Sequence, residues 1–152
     1  MKWRGLIRRE GFSAVVSRAL ILVVDDDTAV LNSLVFMLET EGFEVCAFSD
    51  IAELLRADSI REANCLVVDY RMPAMNGFDV LRALRTRRIT APAILITPTS
   101  DETLDGRAAA AGCARVVEKP HLEDELVRAI RELTAQVAPL ATDPPSPLWR
   151  IP

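Results

Sequence analysis

Cysteine and long apolar runs are scarce in this 152-residue sequence, and an excess of basic residues is missing. The three cysteines form no CxxC pair, which argues against a disulfide framework or a zinc site and fits a reduced cytoplasm. No stretch of about 18 apolar residues is free of charge, so a membrane span is not expected. The net charge is −4 and the pI is near 5.1, so bulk attraction to nucleic acid is not expected either.

The composition divides the chain into three parts. Residues 1–19 carry a net charge of +4, and Arg18 interrupts the apolar stretch that could otherwise suggest a signal peptide. Residues 20–137 alternate apolar runs with helical patterns, and half of the whole sequence is hydrophobic, which is enough for one core. Residues 138–152 hold five of the nine prolines and show no period. We therefore expect a basic N-terminal extension, one folded domain and a Pro-rich disordered tail.

Five short apolar runs alternate with five stretches of helical spacing. The apolar runs predict strands at 20–24, 43–48, 65–68, 93–96 and 115–117. The helical patterns predict helices at 28–41, 50–57, 76–87, 102–111 and 122–137. Strands that are linked by helices form right-handed units of a parallel sheet. The predicted fold is therefore a doubly wound α/β sandwich of the flavodoxin type, with a five-stranded parallel sheet in the order 2-1-3-4-5 and five helices.

Acidic, hydroxyl and basic side chains stand where four of the predicted strands end. Asp25 and Asp26 follow the first strand, and Asp69 follows the third. Thr97 ends the fourth strand, and Lys119 comes after the fifth. Because the carboxyl ends of parallel strands meet at one edge of the sheet, we expect the three acids to form a pocket. Thr97 and Lys119 would then line its far wall.

These residue types fit the transfer of a phosphoryl group to a carboxylate. A carboxylate trio is a credible Mg²⁺ site, and Asp69, the lone acid at the end of the central strand, is the best nucleophile. Lys119 can pair with an acid or with a phosphoryl oxygen, and Thr97 supplies a hydroxyl donor. An ionised aspartate needs no general base, and the single histidine, His121, lies beyond the Lys–Pro turn.

With these motifs the sequence resembles the receiver domain of two-component response regulators. The resemblance covers about residues 20–136 and rests on VVDDD at 23–27, LVVDYRMPAMNG at 66–77, ILIT at 94–97 and EKP at 118–120. Each motif alone would be weak. Together, in this order and at these separations, they are highly specific.

The resemblance implies a role for each polar residue of the predicted pocket. Asp69 would be the phosphoacceptor, charged by a phosphohistidine on a partner kinase. Thr97 and Lys119 would contact the phosphoryl group. The positions of the family's Mg²⁺ ligands correspond to the carboxylates of Asp25, Asp26 and Asp69 and to the backbone carbonyl of Arg71.

The same resemblance draws attention to positions around the pocket. Asp27 would cap the first helix, and the peptide bond before Pro120 is cis in the family. Val116 stands where many receivers carry Tyr or Phe, Pro98 follows the threonine where Ala, Gly or Ser is usual, and His121 replaces a common Phe. These departures leave the pocket untouched but concern the face formed by helix 4, strand 5 and helix 5. We therefore expect activation to move the loop after strand 4 rather than a side chain at position 116.

The sequence favours a stand-alone phosphoacceptor over two other readings. Only 15 residues follow Val137, too few for a helix-turn-helix module, so output is expected through a downstream protein target. The chain would take its phosphoryl group from a sensor histidine kinase or phosphotransfer protein and promote its own slow dephosphorylation, without being an enzyme in the usual sense. The alternative is a non-phosphorylated binding module with a receiver fold. A phosphatase usually needs a second acid two residues after the nucleophile, and that residue is Arg71.

Neither specific DNA binding nor membrane attachment is expected. The predicted third helix carries a basic stripe, which we interpret as a solvated face rather than a nucleic-acid patch. The stripe consists of Arg82, Arg85, Arg87 and Arg88.

Overall fold

The sheet has the predicted five parallel strands in the predicted order. The computed structural model describes residues 3–4, 18–119 and 122–135. We number the parallel strands β1 (Leu20–Val24), β2 (Glu44–Phe48), β3 (Cys65–Asp69), β4 (Ala93–Thr97) and β5 (Arg115–Glu118). Their order across the sheet is β2-β1-β3-β4-β5. The strand order reverses between β1 and β3, so these neighbours flank the crevice where ligands bind in open α/β sheets.

A sixth strand that the sequence did not predict lies at the edge of the sheet. The two residues Trp3–Arg4 pair antiparallel with β2, with Trp3 opposite Ala47 and Arg4 opposite Cys46. Part of the N-terminal extension therefore satisfies backbone groups on an otherwise open strand edge. The predicted disorder of the tail at 138–152, the bond before Pro120 and the substitution at His121 lie outside the described residues.

Five helices connect and cover the strands. They are α1 (Thr28–Thr40), α2 (Ile51–Arg56), α3 (Gly77–Thr86), α4 (Glu102–Ala110) and α5 (Val127–Leu133). A 3₁₀ helix at Asp58–Glu62 was not predicted, and a π-helical turn at Leu122–Leu126 replaces the start of the predicted last helix. Short polar side chains cap the first four helices by accepting from backbone N–H groups of the first turn. These caps are Asp27, Asp50, Asn76 and Asp101.

The core lies on both faces of the sheet. Ile21 and Val23 of β1 pack in a cluster with buried residues of α1 and α5. Leu22 and Val24, which point to the opposite face, pack with buried residues of α2 and α3. All five residues of β1 are buried, which explains why this strand reads as an uninterrupted apolar run. Within the part of the chain that is described, no helix is both long and apolar enough to cross a membrane.

One arginine of the basic stripe is structural rather than solvated. The guanidinium of Arg85 donates to the carbonyls of Ile89 at 2.7 Å, Ala91 at 2.9 Å and Gly112 at 3.1 Å. Arg85 is half-buried and joins the loop before β4 to the turn after α4. The interpretation of the whole stripe as a solvated face is therefore wrong for this residue. The other three are exposed, as expected: Arg82, Arg87 and Arg88.

Candidate functional site

The pairing of β1 with β3 brings the acids together. Val24 lies opposite Val68 in the parallel register, so Asp25, directly after β1, stands beside Asp69, the last residue of β3. Asp25 and Asp69 are buried, with 1% and 3% of their surface exposed, whereas Asp26 is exposed. One carboxylate oxygen from each of the three acids lies within 4.8 Å of the other two. The edge of the sheet therefore holds the acidic pocket that the sequence predicts.

Asp25 is held in place from two sides. Its backbone N–H donates to the carbonyl of Phe48 at 3.1 Å, and its Oδ1 accepts from the backbone N–H of Asp27 at 2.9 Å. The pKa of Asp25 is raised to about 6, mainly by burial and to a smaller extent by the charges of Asp69 and Asp26; the hydrogen bond from the Asp27 N–H and the charge of Lys119 act in the opposite direction. Ionisation of Asp25 therefore costs free energy in the folded protein unless a cation binds nearby.

Lys119 supplies the one cation in contact with these acids among the residues the structure describes. Its Nζ lies 3.2 Å from Oδ1 of Asp69, and its side chain is 30% exposed. Burial raises the pKa of Asp69 above its ordinary value, while Lys119 lowers it and the charge of Asp26 raises it. The lysine therefore offsets only part of the desolvation cost of the buried carboxylate.

Thr97 lies at the end of β4, the strand that pairs with β3, and its hydroxyl already donates a hydrogen bond. The side chain is buried at the end of β4, and its Oγ1 donates to the carbonyl of Thr99 at 2.8 Å. A second hydrogen bond ties the same loop to β5, because the hydroxyl of Ser100 donates to Oε1 of Glu118 at 3.2 Å. The loop after β4 is thus tied to β4 through Thr99 and to β5 through Ser100. No local pattern in the sequence indicates the bond between Ser100 and Glu118.

The donor set fits a hard divalent cation. Two buried carboxylate oxygens, Oδ2 of Asp25 and Oδ1 of Asp69, have no hydrogen-bond partner within the described ranges. Orphaned buried oxygens are costly, and a cation that accepts oxygen ligands would satisfy them. Arg71 has an exposed side chain in the turn after β3, and its backbone N–H lowers the pKa of Asp69. The role of its carbonyl as a ligand stays a prediction.

A close approach at Gly77 sets the shape of the loop after β3. Its backbone N–H donates to the carbonyl of Tyr70 at 2.9 Å. A Cβ at this position would lie 2.5 Å from Cδ1 of Leu95 and 3.1 Å from both the carbonyl oxygen of Asp69 and Cα of Tyr70. Residue 77 therefore has to be glycine for steric reasons. The sequence indicated only a turn or the start of a helix at Asn76-Gly77, and Asn76 is the N-cap of α3.

Sequence reasoning missed an aromatic contact beside the acids. The ring of Tyr70 meets the ring of Phe78 edge to face, with centroids 5.1 Å apart and an interplanar angle of 65°. The guanidinium carbon of Arg107, on α4, lies 4.8 Å from the centroid of Phe78. The available signal was the position of Tyr70 directly after Asp69. The contact itself joins three separate segments, so no local pattern reveals it.

An open groove runs beside the pocket between α1 and the start of α5. It is lined on the α1 side by Val30, Phe36 and Met37, and Lys119 borders it at the pocket end. Among the described residues, Phe36 is the one large apolar side chain that is exposed, with 74% of its surface open. Acidic side chains and Arg128 line the α5 side. A surface of this kind typically contacts another protein.

Comparison with known proteins identifies the fold and the family. The response regulator receiver domain family matches residues 21–131. Nodulation protein W of Bradyrhizobium diazoefficiens is 32% identical over 128 residues, which are 84% of this chain and 55% of that protein. The transcriptional regulatory protein FixJ of the same organism is 32% identical over 127 residues, 84% of this chain and 62% of FixJ. The chain thus spans roughly half to three fifths of these relatives.

A solved structure gives the same result in three dimensions. The CheY-like response regulator receiver domain protein of Methanospirillum hungatei superposes with a TM-score of 0.69 at 30% identity. The superposition covers 79% of this chain and 96% of that one. The family match includes the strands that carry the acidic pocket, the threonine and the last strand before the lysine. The chain therefore belongs to the response regulator receiver domain family of two-component systems.

Proposed function

We propose that the chain accepts a phosphoryl group on Asp69 from a phosphohistidine of a sensor histidine kinase or phosphotransfer protein, and then signals through a protein partner. The observation that carries the proposal is the position of Asp69. Its carboxylate is buried at the end of the central strand, beside Asp25 and Asp26 and 3.2 Å from Lys119. No other acid of the described chain combines these features.

The reaction needs a nucleophile, charge neutralisation and a hydrogen-bond donor. An oxygen of ionised Asp69 forms a bond to phosphorus as the bond from phosphorus to the donor imidazole nitrogen breaks, and that nitrogen keeps the electron pair. Asp25, Asp26 and Asp69, together with the backbone carbonyl of Arg71, would hold Mg²⁺, and the ion would supply positive charge that neutralises the phosphoryl oxygens. No general base is required, because an ionised carboxylate is already nucleophilic.

Lys119 and Thr97 act on the phosphoryl group after transfer. The ammonium of Lys119, released from its contact with Oδ1 of Asp69, pairs with a phosphoryl oxygen. The Thr97 hydroxyl leaves the carbonyl of Thr99 and donates to another phosphoryl oxygen. Lys119 and Thr97 thus each give up a contact within the resting protein and form one with the phosphoryl group on Asp69. Water then hydrolyses the acyl phosphate slowly and returns the site to its resting state.

The phosphodonor docks in the groove between α1 and the start of α5. Lys119 borders both this groove and the acidic pocket, so a protein seated there reaches Asp69 with its histidine. Phe36 supplies an exposed apolar anchor for the donor protein. The acids and Arg128 on the opposite wall can pair with opposite charges on that protein. Phe36→Ala should therefore slow transfer from the kinase while leaving labelling by a small phosphodonor unchanged.

Labelling with acetyl phosphate tests the proposal and separates it from its rivals. Purified chain is incubated with acetyl phosphate, with and without Mg²⁺, and its intact mass is measured over time. A single phosphoryl group that requires Mg²⁺ and is absent in Asp69→Asn supports a receiver that is phosphorylated. No labelling supports a non-phosphorylated binding module with the same fold, and rapid turnover of phosphomonoesters supports a phosphatase.

A further inference from the structure

The aromatic pair beside the acids connects the candidate phosphoacceptor to α4. Tyr70 follows Asp69 directly, and its ring meets Phe78 at 5.1 Å. Phe78 is 1% exposed, and the guanidinium of Arg107 lies over its ring at 4.8 Å. A continuous contact therefore leads from the residue next to the acceptor, through the first turn of α3, to the middle of α4.

The backbone of Tyr70 is held while its ring is not fully enclosed. Its N–H donates to the carbonyl of Ile96 at 2.8 Å, and its carbonyl accepts from the N–H of Gly77 at 2.9 Å. These bonds fix the main chain to β4 on one side and to α3 on the other. The side chain is half-buried, so the ring is the part of this residue with freedom to move.

The ring belongs to a small cluster that also supports α4. The buried members are Phe78, Leu95, Leu104 and Ala108, of which the last two lie on α4. Two partly buried residues pack against this cluster: Tyr70, directly after β3, and Val116, on β5. Val116 is short and β-branched, with little rotamer freedom, so it offers no large side chain to rearrange. Tyr70 is the one aromatic member of this cluster that is partly open to solvent, and it follows Asp69 directly in the chain.

We propose that Tyr70 is the positioning residue through which occupation of the Asp69 site changes the placement of α4. The proposal rests on the function proposed above, since it needs an event at Asp69. A phosphoryl group adds charge and volume next to a residue whose main chain is fixed. The ring then shifts against Phe78, and the contact of Phe78 with Arg107 and Leu104 carries the shift to α4. Packed clusters respond to such displacements by changing between discrete arrangements.

Hydrogen exchange of α4 tests this role in the full chain. The probe is beryllium fluoride with Mg²⁺, which mimics the phosphoryl group, and exchange is measured with and without it by mass spectrometry. In the wild type, the exchange rates of residues 102–110 should change by about fivefold or more on addition of the probe, as for a typical coupling between sites. No change there in the wild type would overturn the proposal.

Three variants distinguish transmission from the Asp69 site to α4 from a general loss of packing in the cluster. Tyr70→Leu keeps apolar volume without a ring and should lose most of the probe-dependent difference, whereas Tyr70→Phe should retain it. Val116→Ala loosens the same cluster from β5, so it should raise exchange equally with and without the probe and leave the difference intact. A full difference in Tyr70→Leu, or its loss in Tyr70→Phe, would refute the assignment.

Acetyl-phosphate labelling of the same variants keeps this inference apart from the proposed function. All three should be labelled at rates within about threefold of the wild type, because none removes a group from the pocket. If the wild type itself is not labelled, the proposed function fails. If every protein is labelled alike and α4 responds in Tyr70→Leu, only the role of Tyr70 fails.

Discussion

The ammonium nitrogen of Lys119 lies 3.2 Å from Oδ1 of Asp69, in a pocket where the carboxylate is almost entirely buried. A lysine that follows the last strand thus partly offsets the charge of an acid at the end of the central strand before any ligand is present. Lys119 lowers the pKa of Asp69 through this contact, and Oδ1 has no other partner within the described chain. A cation or a phosphoryl group that enters the pocket therefore has to displace only the lysine.

Removing the amine of Lys119 should slow the phosphorylation of Asp69. Lys119→Ala leaves Asp69 buried without its cation, which raises the pKa of that carboxyl further and removes a donor to the phosphoryl group. We expect the rate of labelling by acetyl phosphate to fall about 100-fold, the usual effect of losing one such donor. Arg128→Ala, which removes an exposed cation from the same groove, is the control and should leave the rate unchanged. Equal rates for both variants would contradict the role given to Lys119.

Replacing Asp25 should stabilise the ion-free protein at neutral pH. Asp25→Asn keeps an oxygen that can accept from the Asp27 N–H but removes the buried charge. With EDTA present, the free energy of unfolding should rise by about 1 to 3 kcal/mol, since a shift from 3.8 to about 6 corresponds to at most about 3 kcal/mol. Denaturant unfolding measures this difference. Asp26→Asn, at an exposed site, should change the stability by less than about 0.5 kcal/mol.

The pH dependence of this effect has a definite sign. Because the pKa of Asp25 is higher in the folded protein, the folded state binds more protons than the unfolded chain between pH 3.8 and about 6. The contribution of Asp25 to stability is therefore greatest below pH 3.8 and is lost as the pH rises to about 6. Saturating Mg²⁺ should restore stability at neutral pH in the wild type but not in Asp25→Asn. A variant that gains nothing over the wild type in EDTA would contradict the pKa shift.

A methyl group at Gly77 should destabilise the protein although it lies at a helix start. Gly77→Ala places a Cβ against backbone atoms of Asp69 and Tyr70, which cannot move without distorting the strand end. The expected loss is about 1 to 3 kcal/mol in the free energy of unfolding, typical of overpacking. Gly106→Ala on α4 is the matched control: its Cβ meets nothing within 4 Å, so it should stabilise by about 0.5 to 1 kcal/mol. A Gly77→Ala protein as stable as the wild type would show that the loop has room.

Activation should move the loop after β4 and not the side chain of Val116. The Thr97 hydroxyl must leave the carbonyl of Thr99 to reach a phosphoryl oxygen, which frees residues 98–102. Structures with and without beryllium fluoride and Mg²⁺ should show this loop and the start of α4 displaced, and Asp69→Asn should show no displacement. An unmoved loop together with a large rearrangement around Val116 would contradict the prediction.

The sequence predicted the sheet and its acidic edge because both follow from local patterns. Continuous apolar runs located β1, β3 and β4, and the rule that ligands bind at the carboxyl ends of parallel strands brought Asp25 and Asp69 together. Pairing between Lys119 and an acid was predicted from charge alone, and the ion pair is present. Asp27 caps α1 as expected, since a short acceptor before a helical pattern is a local signal.

Features that depend on packing between distant segments were not predictable in this way. The strand Trp3–Arg4 has two residues, too few to show a period. The hydrogen bond from Arg85 to Gly112 and the contact of Arg107 with Phe78 join segments that are separate in sequence. The steric need for Gly77 arises because Leu95, on another strand, packs against the loop. Such features appear only once the chain has folded.

The most direct measurement locates the phosphoryl group in the intact chain. Protein labelled with acetyl phosphate and Mg²⁺ is reduced with borohydride, which converts an aspartyl phosphate to homoserine, and peptides are sequenced by mass spectrometry. Asp69, with its buried carboxylate beside Lys119, should be the position converted. Homoserine at residue 25 or 26, or a labelled protein with an unmodified Asp69, would contradict the assignment of the phosphoacceptor.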